Sequence, residues 1–224
     1  MIKAVLCDLD NTILDFDACS KKSMINAFKK FSLEYKEEMF EVFYKKNKEL
    51  WAEVERGNLT VERLYEIRWN SIFELLGINE DGLAFEKVFH KGIEEGYEKM
   101  EGAEEFLTFL SGKYQVYAAS NAPYHQQKTR LLKANLLGFF EELFVSGEIG
   151  FGKPKREFFD YCLNALKLNP EEVIIIGDSL LADIKGGANA GIKTCWFNPE
   201  NKPITTEVCP DYVIENLAQI KNIL

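Results

Sequence analysis

Long apolar runs are missing from this 224-residue chain. No stretch approaches the roughly 20 apolar residues of a membrane-spanning helix. Lys3 and Asp8 interrupt the N-terminal apolar stretch, so neither a span nor a signal peptide is expected. Histidine is scarce as well. His90 and His125 stand far apart without ligand-like spacing, which excludes a histidine metal pair and leaves them as surface or helix residues. The five cysteines, Cys7, Cys19, Cys162, Cys195 and Cys209, are odd in number and form no C-x-x-C pair. A disulfide framework is therefore not expected, and a reduced, cytoplasmic compartment fits. Positive charge is in deficit: Lys plus Arg is 27 against 36 Asp plus Glu, a net charge of −9. Sequence-independent binding to a nucleic-acid polymer or an anionic membrane needs basic patches, so both are poor partners. Repeats and low-complexity segments are also lacking.

What is present is an ordinary globular mixture, 46% hydrophobic and 28% charged, long enough for one large domain or two smaller ones. The apolar run Ile2 to Cys7 reads as a buried strand and ends in two carboxylates, Asp8 and Asp10. From roughly Asp17 to Lys99 the apolar residues recur at helical spacing, as in Met24, Ile25, Phe28 and Phe31, or Val61, Leu64 and Ile67. Gly57-Asn58 and Gly77 punctuate that region, giving four helices with short connections. From Gly102 the pattern alternates. Strands are expected at 115–119, 143–145, 173–176, 192–197 and 212–214. Helices are expected at 103–110, 128–135, 157–168, 180–190 and 217–224. Alternation of this kind means βαβ units and a parallel sheet. The expected fold is α/β: a Rossmann-like, three-layer parallel-sheet core over 1–15 and 99–224, with an inserted four-helix bundle cap over 16–98.

Four of those strands end in polar groups. The first leads into Asp8 and Asp10, the second into Ser120 and Asn121. The loop after the third carries Lys153, and the fourth leads into Asp178, with Asp183 in the next helix. In a parallel sheet these ends share one edge, where open α/β sheets bind ligands. Taken singly, each has a plain structural reading. Asp8 and Asp10 suit a polar turn, Ser120-Asn121 a turn, Lys153 a surface position, and Asp183 a helix start favoured by the dipole. Gly186 and Gly187 permit close helix–sheet packing. Together, clustered acids, a hydroxyl, an amide and a lysine suit a phosphoryl group with a divalent cation. Adjacent carboxylates need a positive compensator, and Mg2+ binds through few carboxylates plus substrate phosphate. Cys7 packs as a small hydrophobe on the strand face turned away from the site.

Asp8-Leu9-Asp10-Asn11-Thr12, Ser120-Asn121, Lys153 and Gly177-Asp178-Ser179-Leu180-Leu181-Ala182-Asp183 stand in the order found in the haloacid dehalogenase superfamily. The chain resembles that family's phosphatase branch along its whole length, inserted cap included. The resemblance implies Asp8 as nucleophile forming an aspartyl-phosphate, and Asp10 as acid and then base. It implies Ser120, Asn121 and Lys153 as phosphate-binding residues. Mg2+ would be held by Asp8, the backbone carbonyl of Asp10 and Asp178, with Asp183 a ligand through water or a support.

Other readings share parts of this pattern. A dehalogenase of the same family lacks the second acid. A phosphomutase shares all four motifs. A phospho-accepting signalling domain is shorter and has no helical insertion, and a dead binding module would miss a motif residue. Asn47-Lys48-Glu49-Leu50-Trp51, Gly57-Asn58-Leu59-Thr60, Gly147-Glu148-Ile149-Gly150 and Ala190-Gly191-Ile192-Lys193-Thr194-Cys195-Trp196 are similar to the pyrimidine 5′-nucleotidase subgroup. That similarity implies a small-molecule phosphate monoester substrate such as UMP, dUMP or dTMP. A phosphatase of small sugar or glycolate phosphates is the alternative. Phe16, Trp51 and Trp69 are candidates to stack on a base, and each is also a natural core residue.

Overall fold

Strand β1 (Ala4–Cys7) shows how alternation decides the layers. Val5 and Cys7 join one buried apolar cluster, Ala4 and Leu6 the other. Successive side chains on a strand point to opposite faces, so a strand buried on both faces must be apolar throughout. The computed structural model describes residues 1–205 and 207–224.

The chain divides into two units, Met1–Asp15 with Lys99–Leu224, and Phe16–Glu98. In chain order, β1 is followed by α1 (Phe16–Lys30), α2 (Glu38–Glu55), α3 (Val61–Leu76) and α4 (Gly82–Glu95). Then come α5 (Ala103–Ser111), β2 (Gln115–Ser120), α6 (Tyr124–Lys133), β3 (Glu142–Val145), α7 (Ser146–Ile149) and α8 (Arg156–Leu166). The chain continues with β4 (Val173–Gly177), a π-helical segment (Leu180–Lys185), α9 (Gly186–Asn189), β5 (Lys193–Phe197), β6 (Tyr212–Ile214) and a 3-10 segment (Leu217–Asn222).

The first unit is an α/β layer structure. All six strands are parallel, in the order β3-β2-β1-β4-β5-β6. One face of the sheet packs on Phe106, Leu107 and Leu110 of α5, Leu131 of α6, and Leu217 and Ile220. The other packs on Phe158, Phe159, Cys162 and Leu163 of α8, with Ala190 and Ile192. The strand order reverses at β1, between β2 and β4, so the switch point lies at its carboxyl end. At Gly187 an added Cβ would stand 2.6 Å from Ile175 Cγ2, so α9 approaches the sheet closely only because that residue has no side chain.

The second unit holds α1 to α4 around its own aromatic core of Phe28, Phe43, Trp69, Phe73, Phe85 and Phe89. Thr60 caps α3 through the Arg63 amide (3.2 Å), and Asp81 caps α4 through the amides of Leu83 and Ala84 (2.9 and 3.0 Å). Gly77 ends α3 with φ of 67°. Inside this core Arg68 forms a two-pronged pair with Glu86 (2.9 and 2.5 Å) and donates to Asn47 Oδ1 (2.9 Å), tying α3 to α4 and α2. Trp69 is fully buried and stacked on Phe43, with centroids 5.5 Å apart. It is a core residue, the reading its helical spacing favours over stacking on a base.

Three elements depart from their expected form. Helix α6 begins at Tyr124, four residues before the expected start, because its buried face is polar: Gln126, Gln127 and Arg130. Apolar periodicity cannot report such a face. The single helix expected over 180–190 is a π-helical segment followed by α9. There the Ser179 carbonyl accepts from both Asp183 and Ile184 amides (3.0 and 3.2 Å), widening the turn. The last expected helix is a 3-10 segment, opened by a capping box between Asn216 and Gln219.

Candidate active site

The β1 ladder closes with the Asp8 amide donating to the Ile176 carbonyl (2.9 Å). Beyond it the chain folds back at once. The Leu9 carbonyl accepts from the amides of Thr12, Ile13 and Leu14 (3.3, 2.9 and 2.8 Å). Asn11 takes the left-handed conformation, φ 61°, which asparagine tolerates well. The tight turn leaves Asp8 and Asp10 at the carboxyl edge of the sheet.

Asp8 is buried and held at both oxygens. Thr12 Oγ1 donates to Oδ2 (3.2 Å), and Lys153 Nζ donates to Oδ1 (2.6 Å). Lys153 Nζ also donates to Asp183 Oδ1 (2.6 Å). The second Asp183 oxygen accepts from the Ser179 amide (3.0 Å). Lys153 and Asp183 are themselves buried. Asp8, Asp178 and Asp183 can each direct an oxygen to within 4.8 Å of the others. Gly177 makes room for this arrangement: a Cβ there would stand 2.2 Å from Asp183 Oδ2. The Asp178 carbonyl accepts from Trp196 Nε1 (2.9 Å), which fixes the turn after β4.

Burial pushes the Asp8 carboxyl above its ordinary value, Lys153 pulls it down, and Asp183 and Asp10 push it up again. Burial works against the Lys153 charge, but the carboxylates of Asp183 and Asp8 outweigh it and raise the ammonium overall. Three converging carboxylates around one ammonium leave the cluster short of positive charge. Its hard oxygen donors suit a small divalent cation such as Mg2+. Burial, with Asp8 beside it, raises the Cys7 thiol well above its ordinary range, so Cys7 is not a thiolate nucleophile.

Asp10 points elsewhere. Its carboxylate accepts from Gln127 Nε2 (2.6 Å) and pairs with Arg130 Nη1. Gln127 Nε2 also donates to Ser120 Oγ (2.9 Å), and the Gln127 carbonyl oxygen accepts from Arg130 (3.2 Å). Ser120 Oγ accepts from the Ala122 amide as well (3.2 Å). Asn121 is engaged at both ends with the Lys153 main chain: Nδ2 donates to its carbonyl and Oδ1 accepts from its amide, both at 2.8 Å. It thereby anchors the loop that carries Lys153.

The structure thus brings Asp8, Lys153, Asp178 and Asp183 into one cluster, and Asp10 and Ser120 into a second joined through Gln127. Sequence alone hints at neither Gln127 nor Arg130, and it shows Thr12 and Trp196 only as members of motifs, without the contacts they make here. Gln127 and Arg130 sit three apart on α6, but polar residues at that spacing read equally as a solvated helix face, so no local pattern marks them.

The haloacid dehalogenase-like hydrolase family matches residues 2–191, and the chain belongs to it. Among its relatives is the HAD-hydrolase YfnB of Bacillus subtilis, 34% identical over 99% of this chain and 95% of that protein. A crystal structure of YfnB bound to magnesium superposes with a TM-score of 0.94, covering 100% of this chain and 98% of that one, and is described as revealing interdomain movement. The pyrimidine 5′-nucleotidases PynA of Streptococcus pneumoniae and YjjG of Escherichia coli are 29% and 28% identical. Those matches cover 99% and 98% of this chain, and 97% and 96% of the relatives.

Proposed function

We propose that the protein is a Mg2+-dependent phosphoric monoester hydrolase that works through an aspartyl-phosphate on Asp8, with pyrimidine nucleoside 5′-monophosphates as substrates. The observation that carries this reading is the pairing of two unlike carboxylates at one sheet edge. Asp8 is locked to Lys153 within an acidic cluster, while Asp10, two residues on, is held apart by donors from α6. A nucleophile and an acid–base group need this separation of surroundings.

In the first step Asp8 Oδ attacks phosphorus, the P–O bond to the leaving group breaks, and Asp10 gives that oxygen its proton. In the second, Asp10 takes a proton from water, the water oxygen attacks phosphorus, and the Asp8–phosphorus bond breaks to release phosphate. Lys153 and Ser120 bind phosphoryl oxygens, and Asn121 fixes the loop that presents Lys153. Asp8, Asp178 and the Asp10 carbonyl would hold Mg2+, with Asp183 in support. When bound, the ion would neutralise charge on the phosphoryl oxygens. The helical unit serves as a cap in this reading: it selects the leaving group, and Trp51 and Phe16 remain its candidates to stack on a base. The nearly full-length similarity to two pyrimidine 5′-nucleotidases supports that substrate class.

A panel of phosphate monoesters with Mg2+ tests the proposal, with Asp8→Asn as control. Phosphate release should be fastest from dTMP or UMP, relative to AMP, phosphoglycolate and a hexose phosphate. The Asp8→Asn protein should lose about a thousandfold or more in turnover while keeping its fold. If phosphoglycolate or the hexose phosphate exceeds dTMP in kcat/KM by about tenfold, roughly 1.4 kcal/mol of transition-state preference, the nucleotidase reading falls.

A further inference from the structure

Helix α6 buries a charge and an amide where its neighbours bury hydrocarbon. Gln127 and Arg130 have no solvent exposure, and their spacing places them on one face of the helix. Both act on Asp10. Arg130 Nη1 pairs with one carboxylate oxygen and Gln127 Nε2 donates to the other at 2.6 Å. A third bond, Arg130 to the Gln127 carbonyl oxygen at 3.2 Å, braces the two donors against each other. Stability alone is a poor reason for this arrangement, since buried ion pairs are often replaceable by hydrocarbon of the same volume without loss. Orientation is a better one. Two donors, one on each oxygen, set both side-chain torsions of an aspartate that is otherwise part-exposed in a short turn.

Gln127 also reaches the other half of the site. Its Nε2 donates to Ser120 Oγ at 2.9 Å, and the Ala122 amide donates to the same oxygen at 3.2 Å. A hydroxyl has two acceptor sites and one donor hydrogen. With both acceptor sites filled, the Ser120 hydroxyl is left to donate, which is what a phosphoryl oxygen requires.

We propose that Gln127 and Arg130 are positioning residues: together they aim the Asp10 carboxyl for proton transfer, and Gln127 sets the Ser120 hydroxyl as a donor to phosphate. This rests on the reading of Asp10 as the acid–base group. The test exploits leaving groups. An alkyl phosphate such as dTMP needs a proton delivered to its leaving oxygen, whereas p-nitrophenolate leaves without one. Arg130→Met, Arg130→Lys and Gln127→Leu would be compared with wild type and Asp10→Asn, in single-turnover and burst experiments with Mg2+ and both substrates.

The expected result for Arg130→Met and Gln127→Leu is a single-turnover loss of about tenfold to a hundredfold with dTMP, part of what general acid–base catalysis supplies. The first-turnover burst with p-nitrophenyl phosphate should stay within about threefold of wild type, because that step makes no demand on a proton donor. Later turnovers should slow with both substrates, because the base step uses the same carboxyl. Arg130→Lys should recover part of the dTMP loss, and Gln127→Leu should also raise KM for both substrates. Equal losses in the dTMP step and the burst, or no loss in either, overturn the proposal. Circular dichroism establishes folding, and if Arg130→Met does not fold, Gln127→Leu and Arg130→Lys carry the comparison. Asp10→Asn separates the failures. If it keeps full dTMP turnover, the acid–base reading is wrong and the positioning proposal falls with it. If it shows the leaving-group signature and Gln127→Leu does not, the positioning proposal alone is wrong.

Discussion

Asp8 carries the sharpest residue-scale conflict in the chain. Desolvation favours its protonated form, and a nucleophile must be ionised. Lys153 relieves part of the conflict but is shared with Asp183. A divalent cation would relieve the rest, so protons and Mg2+ should compete for the site. The sign follows from the raised value. In cation-free protein Asp8 keeps its proton further toward neutral pH than an ordinary aspartate, and the ion must displace it. Apparent Mg2+ affinity should weaken as pH falls through the acid side of neutrality, level off at higher pH, and be accompanied by proton release. Calorimetric titration in buffers of different ionisation enthalpy at two pH values measures both. Affinity independent of pH would show that Asp8 is already ionised without the cation.

At the scale of elements, the two units solve their polar problems differently. In the sheet unit, polar residues gather where strands end, and the π-helical segment after β4 turns Asp183 back toward Lys153. In the helical unit the core is aromatic, and its one large polar insertion, Arg68 with Glu86 and Asn47, satisfies itself. Trp69 lies among Phe28, Phe43, Phe73, Phe85 and Phe89, with ring centroids 4.3 to 6.4 Å away. Trp69→Ala should therefore cost about 3–5 kcal/mol, the range for a large buried aromatic. The loss should fall on the helical unit. Chemical denaturation checks the magnitude, and amide hydrogen exchange should show faster opening in 16–98 than in the sheet strands. A change below about 1 kcal/mol would mean the core can collapse around the gap.

For the whole molecule, the chain crosses between its units twice, at Asp15–Phe16 and Glu98–Lys99. We propose that these crossings act as a hinge, and that closure over a phosphoryl site excludes competing water. We expect Mg2+ with a phosphate analogue to shift the distance between a fluorophore on each unit, read by single-molecule energy transfer. An unchanged distribution would remove closure from the cycle. No described helix is long and apolar enough to cross a membrane.

β1 and α6 show where the boundary lies between what was legible in the chain and what was not. The run ending at Cys7 declares a strand buried on both faces, because a parallel sheet covered by helices demands apolar residues at every position. The order of strands and helices then follows from the switch between periods of two and 3.6, and Asp8, Asp10, Ser120 and Asp178 follow from standing at or just past strand ends, with Lys153 and Asp183 in the segments that come after them. These are local patterns, and sequence by itself determined them. Helix α6 obeys no such pattern on its inner face. Gln127 and Arg130 look like solvent-facing residues until tertiary structure sets Asp10 opposite them, 117 and 120 residues away along the chain. The same holds for Asn121, whose partner is the main chain of Lys153, and for Trp69, whose burial depends on five rings drawn from four helices. A polar side chain's role is decided by its partner. Partners far apart in sequence leave no periodic trace, so only the folded arrangement could assign them.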